Sequence, residues 1–236
     1  MSTAAEVARA LKTLGSPAKA KSSAWFFKTG PGQYGEGDVF IGVTVPEQRK
    51  LARQYKDLQL DQIKKLLGSP IHEQRLTALF ILTDQYKHGD EAIRKRIYDF
   101  YFQNLSRVNN WDLVDSSAPQ IVGAWLAGKD KAVLEQLARS DNLWERRVAT
   151  VATLFDIVNG ESTEALKIAD ILINDSHDLI QKAVGWILRE VGKRCGRQIL
   201  IDYLRPRYNT MPRTMLRYSI EHFDPSTRSR YLKGSV

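Results

Sequence analysis

The residues with the clearest capacity for chemistry lie in the run Asn109-Asn110-Trp111-Asp112-Leu113-Val114-Asp115-Ser116-Ser117-Ala118-Pro119. Trp111 and Asp115 are four apart, so a helix puts both on one face. Asp112 is three before Asp115 and nearly shares that face. In a purely structural role Asn110 caps the helix, Asp112 complements its dipole and Trp111 belongs to the core. Asp115 stands one turn further in, where capping has lapsed. An ionised carboxylate there can oppose a developing positive charge, or orient and deprotonate a water. A second candidate is Trp186 in Gln181-Lys182-Ala183-Val184-Gly185-Trp186-Ile187-Leu188-Arg189-Glu190, although a helical tryptophan more often belongs to the core.

Conventional catalytic sets are poorly represented. His72, His88, His177 and His222 are far apart and lack the spacing of metal ligands, so no metal and no cofactor is expected. The single cysteine, Cys195, excludes an internal disulfide. Lys193, Arg194 and Arg197 beside it can lower its pKa, but no acid or histidine stands next to it, and an inert thiol is the better reading. The stretch Thr29-Gly30-Pro31-Gly32-Gln33-Tyr34-Gly35-Glu36-Gly37-Asp38 has the glycines of a phosphate loop without the Gly-Lys-Ser/Thr that completes one. It reads as a surface connection.

The elements that must position these residues are helices. Apolar residues recur at helical spacing in Ile93, Ile97, Phe100, Tyr101 and Leu105, in Val148, Val151, Ala152, Phe155 and Val158, and in Leu179, Ala183, Trp186, Ile187 and Val191. No series of alternating strands is found, so the chain reads as all-α. Ser16-Pro17 and Thr44-Val45-Pro46-Glu47 open helices. Gly68-Ser69-Pro70, Asp141-Asn142, Asn159-Gly160 and 175–178 break them.

Three segments begin alike, each with a basic residue near the start of an apolar helix: Arg75, Arg147 and Lys182. The first two are 72 positions apart and the last two 35. The first interval is close to twice the second, and the missing copy falls near Trp111. A period in the mid-thirties with two helices per unit is the mark of a helical solenoid. A single domain over 1–236 is expected, with N-terminal helices and the Gly-rich loop over about 1–45 and stacked helix pairs over 46–232. In a right-handed solenoid the three bases would form a track along the concave groove, suited to a phosphate backbone. The alternative is that they coincide by chance of alignment.

Charge agrees with such a partner. The 236 residues carry 35 Lys and Arg against 27 Asp and Glu, a formal charge of +8, which favours polyanions such as nucleic acid. No apolar run reaches the roughly 18 residues needed to cross a bilayer. The N-terminus lacks the basic start and apolar stretch of an export signal. A cytoplasmic setting near the nucleoid is expected, with no membrane partner.

The segments Asn110-Trp111-Asp112-Leu113-Val114-Asp115, 140–147 and 181–190, together with Ser16-Pro17-Ala18-Lys19-Ala20 and 40–49, resemble the AlkD-like DNA alkylation repair glycosylases. The likeness runs over roughly residues 5 to 225. It implies a horseshoe of HEAT-like repeats whose concave face grips duplex DNA. It also implies hydrolysis of the N-glycosidic bond of positively charged N3- and N7-alkylated purines, by a monomer and without covalent catalysis. Carried over by motif, the family's two tryptophans correspond to Trp111 and Trp186, its catalytic aspartate to Asp115, and its phosphate-contacting arginine to Arg147. An N-terminal aromatic contact matches Phe26 loosely, and Thr44 occupies the place of a polar residue on the lesion side. Arg75 and Lys182 complete the expected DNA-binding set. The rival reading is a non-catalytic HEAT-repeat module that binds DNA or protein. Trp25, Trp125 and Trp144 read as packing, the default for a helical tryptophan.

Overall fold

The computed structural model describes residues 2–236. Their regular elements are helices, with one isolated parallel bridge, Val39 to Ile71. Two compact units divide between Ile121 and Val122.

The first unit contains α1 (Ala4–Thr13), α2 (Pro17–Phe26), α3 (Val45–Gln54), α4 (Leu60–Leu67), α5 (His72–His88), α6 (Glu91–Gln103) and α7 (Trp111–Asp115). Its hub is the 17-residue α5, which packs on α1, α3, α4, α6 and α7. Ala78, Leu79, Ile81 and Leu82 of that helix are sealed from solvent, as a central helix requires. The second unit contains α8 (Ala124–Leu126), α9 (Ala132–Ala138), α10 (Leu143–Ala152), α11 (Leu154–Val158), α12 (Thr163–Ile171), α13 (Asp178–Arg194), α14 (Arg197–Leu204), α15 (Arg213–Ser219) and α16 (Pro225–Lys233). Its hub is again a 17-residue helix, α13, packed on α10, α11, α12, α14 and α15.

Local chemistry sets the helix starts. Ser16 caps α2, with Pro17 at the first helical position. Thr44 and Glu47 form a reciprocal box at α3, the Thr44 N–H reaching Glu47 Oε2 at 2.9 Å. Asn142 Oδ1 accepts the Trp144 N–H at α10. The apolar stripe from Val148 to Val158, read as one helix, is broken at Thr153, whose hydroxyl donates to the Thr150 carbonyl at 2.7 Å. The last member of that stripe, Val158, is exposed.

One buried carboxylate ties the N-terminal helices to α5. Glu73 accepts N–H donors from three successive residues: Ile41 at 3.0 Å, Gly42 at 2.7 Å and Val43 at 3.3 Å. Gly42 lies at φ +81°, and a Cβ there would come 2.1 Å from the Ser16 carbonyl oxygen. Only glycine allows α2 to sit this close. Its contacts with the rest of the unit are slight enough that α2 buries none of its own residues.

Candidate active site

α7 carries Trp111 at its first position and Asp115 at its last. Five residues are too few to hold a helix in water, so its neighbours fix it. Asn110 is fully buried, and its Oδ1 accepts the Trp111 N–H at 2.8 Å. Leu113 and Val114 are sealed in the core. Ser117, just past the end, donates to the Leu113 carbonyl at 2.6 Å and meets the Tyr101 hydroxyl at 3.0 Å. A π-helical turn, Pro119–Gly123, follows. Asp115 itself is half-buried. Burial raises the Tyr101 hydroxyl well above its ordinary pKa, and the negative charge of Asp115 adds to that effect.

Trp111 is half-buried rather than core. Its ring stacks on Phe27 at 5.2 Å between centroids, 15° from parallel, and meets Phe26 edge-on at 6.0 Å. Phe27 continues onto Phe40, and both rings lie against the His72 imidazole, at 5.0 and 4.6 Å.

Beneath this aromatic layer lies a buried set of charges that spacing in the sequence did not disclose. His72, the first residue of α5, puts Nδ1 at 3.0 Å from Asp38 Oδ2 and Nε2 at 2.7 Å from Asp112 Oδ2. Arg75 Nη2 donates to Asp38 Oδ1 at 2.5 Å, and Asn110 Nδ2 donates to Asp38 Oδ2 at 3.0 Å. Burial works against a charged imidazole. The Asp112 charge and the hydrogen bonds to Asp112 and Asp38 outweigh it and raise the His72 pKa to about 9, Arg75 opposing. Burial likewise disfavours the Asp38 anion, but bonds from His72, Arg75 and Asn110 hold its carboxyl below the usual range. Two anions and two cations therefore balance.

The expected site residues are distributed as follows. Asp112, read as a complement to the helix dipole, is bound by His72. Arg75, expected on a basic track, is only 3% exposed and serves as an internal counter-ion to Asp38. Phe26 is exposed at the end of α2, against Trp111. Thr44 lines an open cleft of about 370 Å³ with Lys19, Ser22 and Ser23. The Gly-rich stretch is more than a surface connection, because its last residue is the buried carboxylate Asp38. Trp25, assigned to packing, is 83% exposed. The pattern around it already offered a signal: α2 has no apolar stripe to bury.

In the second unit, Trp186 is half-buried on α13. Arg147 on α10 is buried, and its Nη1 donates to the Leu179 carbonyl at 2.8 Å. Lys182 lies 2.6 Å from Asp178 on a half-exposed face of α13. Arg75 is the fourth residue of α5, and Arg147 and Lys182 are the fifth residues of α10 and α13. Cys195 is half-buried with its thiol against the Ile157 carbonyl, and burial raises its pKa despite the adjacent Arg194. Among the described residues, no group of three or more His, Cys, Asp or Glu is disposed to hold a metal ion, and no helix is long and apolar enough to cross a membrane.

These features define an all-helical protein with an aromatic and carboxylate-bearing short helix set over a neutral, buried charge cluster. A family profile described as DNA alkylation repair enzyme matches residues 7–223. The chain belongs to that family of DNA repair enzymes. Among solved structures, a predicted DNA alkylation repair enzyme from Enterococcus faecalis is similar with a TM-score of 0.67 and 17% identity, over 89% of this chain and 97% of that one. That likeness is one of fold. A comparison with curated proteins returns no match.

Proposed function

We propose that this family member is a monofunctional DNA glycosylase that releases N3- and N7-alkylated purines from duplex DNA. The observation that carries the reading is the pairing of Trp111 with Asp115, one turn apart on a helix that Asn110, Asp112, Leu113 and Val114 anchor from below.

An N3- or N7-alkylated purine already bears positive charge, so it departs without being protonated, and no general acid is required. As the bond to C1′ lengthens, positive charge builds on the deoxyribose. The Asp115 carboxylate opposes that charge and takes the proton of the attacking water. The oxygen of water bonds to C1′, the base leaves as a neutral alkylpurine carrying the bond's electron pair, and the abasic sugar remains. Glycoside hydrolases meet a similar cation with two carboxylates; a leaving group already charged makes one sufficient. The indole faces of Trp111 and Trp186 add cation–π stabilisation, about 0.5–2 kcal/mol per contact. Arg147 holds a phosphate, with Lys182 adding charge nearby in sequence. Phe26 and Thr44 contact the DNA on the first unit. Arg75 acts through Asp38 rather than on DNA. The repeat of basic residues at helix starts supports a HEAT-like reading, and the protein acts as a monomer on duplex DNA.

The deciding experiment is incubation with methylated duplex DNA and chromatographic detection of free bases. Release of 3-methyladenine and 7-methylguanine, with abasic sites left uncleaved, is expected. Binding of alkylated and plain duplex with equal affinity and no free base would leave a non-catalytic DNA-binding module instead.

A further inference from the structure

We infer that His72 is a positioning residue: its imidazolium, bridging Asp38 and Asp112, sets the place of α7 and so of the Trp111 ring and the Asp115 carboxylate. The inference rests on the glycosylase reading for its catalytic consequence and on geometry for its structural one.

Both ring nitrogens of His72 face carboxylate oxygens. A neutral imidazole has one N–H and can serve one of them. The two carboxylates differ in what they have besides. Asp38 also receives Arg75 Nη2 and Asn110 Nδ2. Asp112 Oδ2 has His72, while Asp112 Oδ1 is buried and has no hydrogen-bond partner among the described residues. Asp38 thus keeps two other donors if His72 loses its charge, whereas the Asp112 carboxylate has His72 as its one hydrogen-bond partner among the described residues.

Asp112 adjoins Trp111 and stands one turn before Asp115 on a helix too short to keep its own shape. Its link to α5 is a charged anchor of α7. The ring contacts act in the same place. His72 lies against Phe27 and Phe40, and Phe27 stacks on Trp111. A displacement of the imidazole reaches Trp111 both through Asp112 and through Phe27. The charged groups facing His72 are Asp38 from the Gly-rich loop, Asp112 from α7 and Arg75 from α5 itself, which lies 3.4 Å from Nδ1. Glu73, next along α5, is turned to the amides of residues 41–43.

The test pairs two titrations of the full-length protein between about pH 6.5 and 10. In the first, NMR follows the His72 ring and the Trp111 indole N–H, the latter assigned with Trp111→Phe. The Trp111 resonance is expected to shift with the His72 midpoint, near 9. In Asp112→Asn, which keeps size and an acceptor but removes the charge, both midpoints are expected to fall together by more than about one pH unit. In the second, single-turnover release of 3-methyladenine under saturating enzyme, corrected for spontaneous loss, is expected to decline through the same midpoint and to follow it downward in Asp112→Asn. A histidine that merely packs would leave Trp111 and the rate unmoved. A Trp111 resonance that stays flat while His72 titrates overturns the inference, as does a release rate that stays flat. If the wild type releases no base at all, the glycosylase reading fails, and the resonance titration alone decides the role of His72.

Discussion

The ring of Phe27 lies almost parallel to that of Trp111, 5.2 Å away. One aromatic face of the candidate site is thus supported from the residue just beyond α2, 84 positions earlier in the chain. Phe27→Leu keeps apolar bulk and loses the flat support. It is expected to slow base release about tenfold or less, in line with an aromatic pair worth about 0.5–1.5 kcal/mol, and to leave the affinity for undamaged duplex unchanged. Single-turnover rates and equilibrium binding on the same variant separate the two.

Asp115→Asn keeps size and loses charge. Asp115 is the last residue of α7 and half-buried. Release of 7-methylguanine is expected to fall well over tenfold by loss of electrostatic stabilisation. An unchanged single-turnover rate removes Asp115 from the reaction.

Arg147→Ala is expected to weaken DNA binding and to reduce the slope of log affinity against log salt by about one, the signature of one lost phosphate contact. Arg147 also holds the Leu179 carbonyl through Nη1, so some loss of stability accompanies the change. An identical salt slope would show that Arg147 serves the fold alone.

Stability should vary with pH through His72. Its folded pKa stands near 9 against an ordinary value of 6.5. A group raised in this way contributes fully below about pH 6.5, and its contribution is lost as pH rises through about 9. A shift of that size corresponds to about 3 kcal/mol. Urea midpoints are therefore expected to fall between pH 6.5 and 9, and to fall less in a His72→Phe/Asp112→Asn double variant, where the titrating pair is gone.

Trp25→Ala should leave stability within about 0.5 kcal/mol of wild type, because the ring is 83% exposed and its loss opens no cavity. Tryptophan emission in the wild type should contain a component readily quenched by iodide, absent from the variant. Equal quenching in both proteins would mean that the ring is covered in solution.

What could be read from the sequence follows the reach of the interactions. Caps such as Ser16, Thr44 and Asn142 act within three residues, so the helix starts were legible. The Trp111 and Asp115 pair was legible because one turn of helix is enough to relate them. The cluster beneath was not. Asp38, His72 and Asp112 are brought together across 34 and 40 positions, and no local rule links a carboxylate closing a glycine run to a histidine opening a helix. The partner of Arg75 was hidden for a related reason: sequence phase fixes where a residue sits on its helix, but not that Asp38, 37 positions earlier, pairs with it. Trp25 shows the converse, since a large apolar residue counts as core only if its helix has a face to bury.

The anchoring of residues 38–43, by Arg75 and His72 at one end and by Glu73 at the other, has a practical corollary for engineering. Changes in chain length downstream of Asp38 would pull three amides off Glu73, whereas the exposed tip around Gly32, with open space about it, lies outside both clasps. A peptide tag or a fluorophore-bearing graft at that tip should be accommodated with folding intact, which gives a labelling handle only a few residues from Phe27 and the aromatic layer.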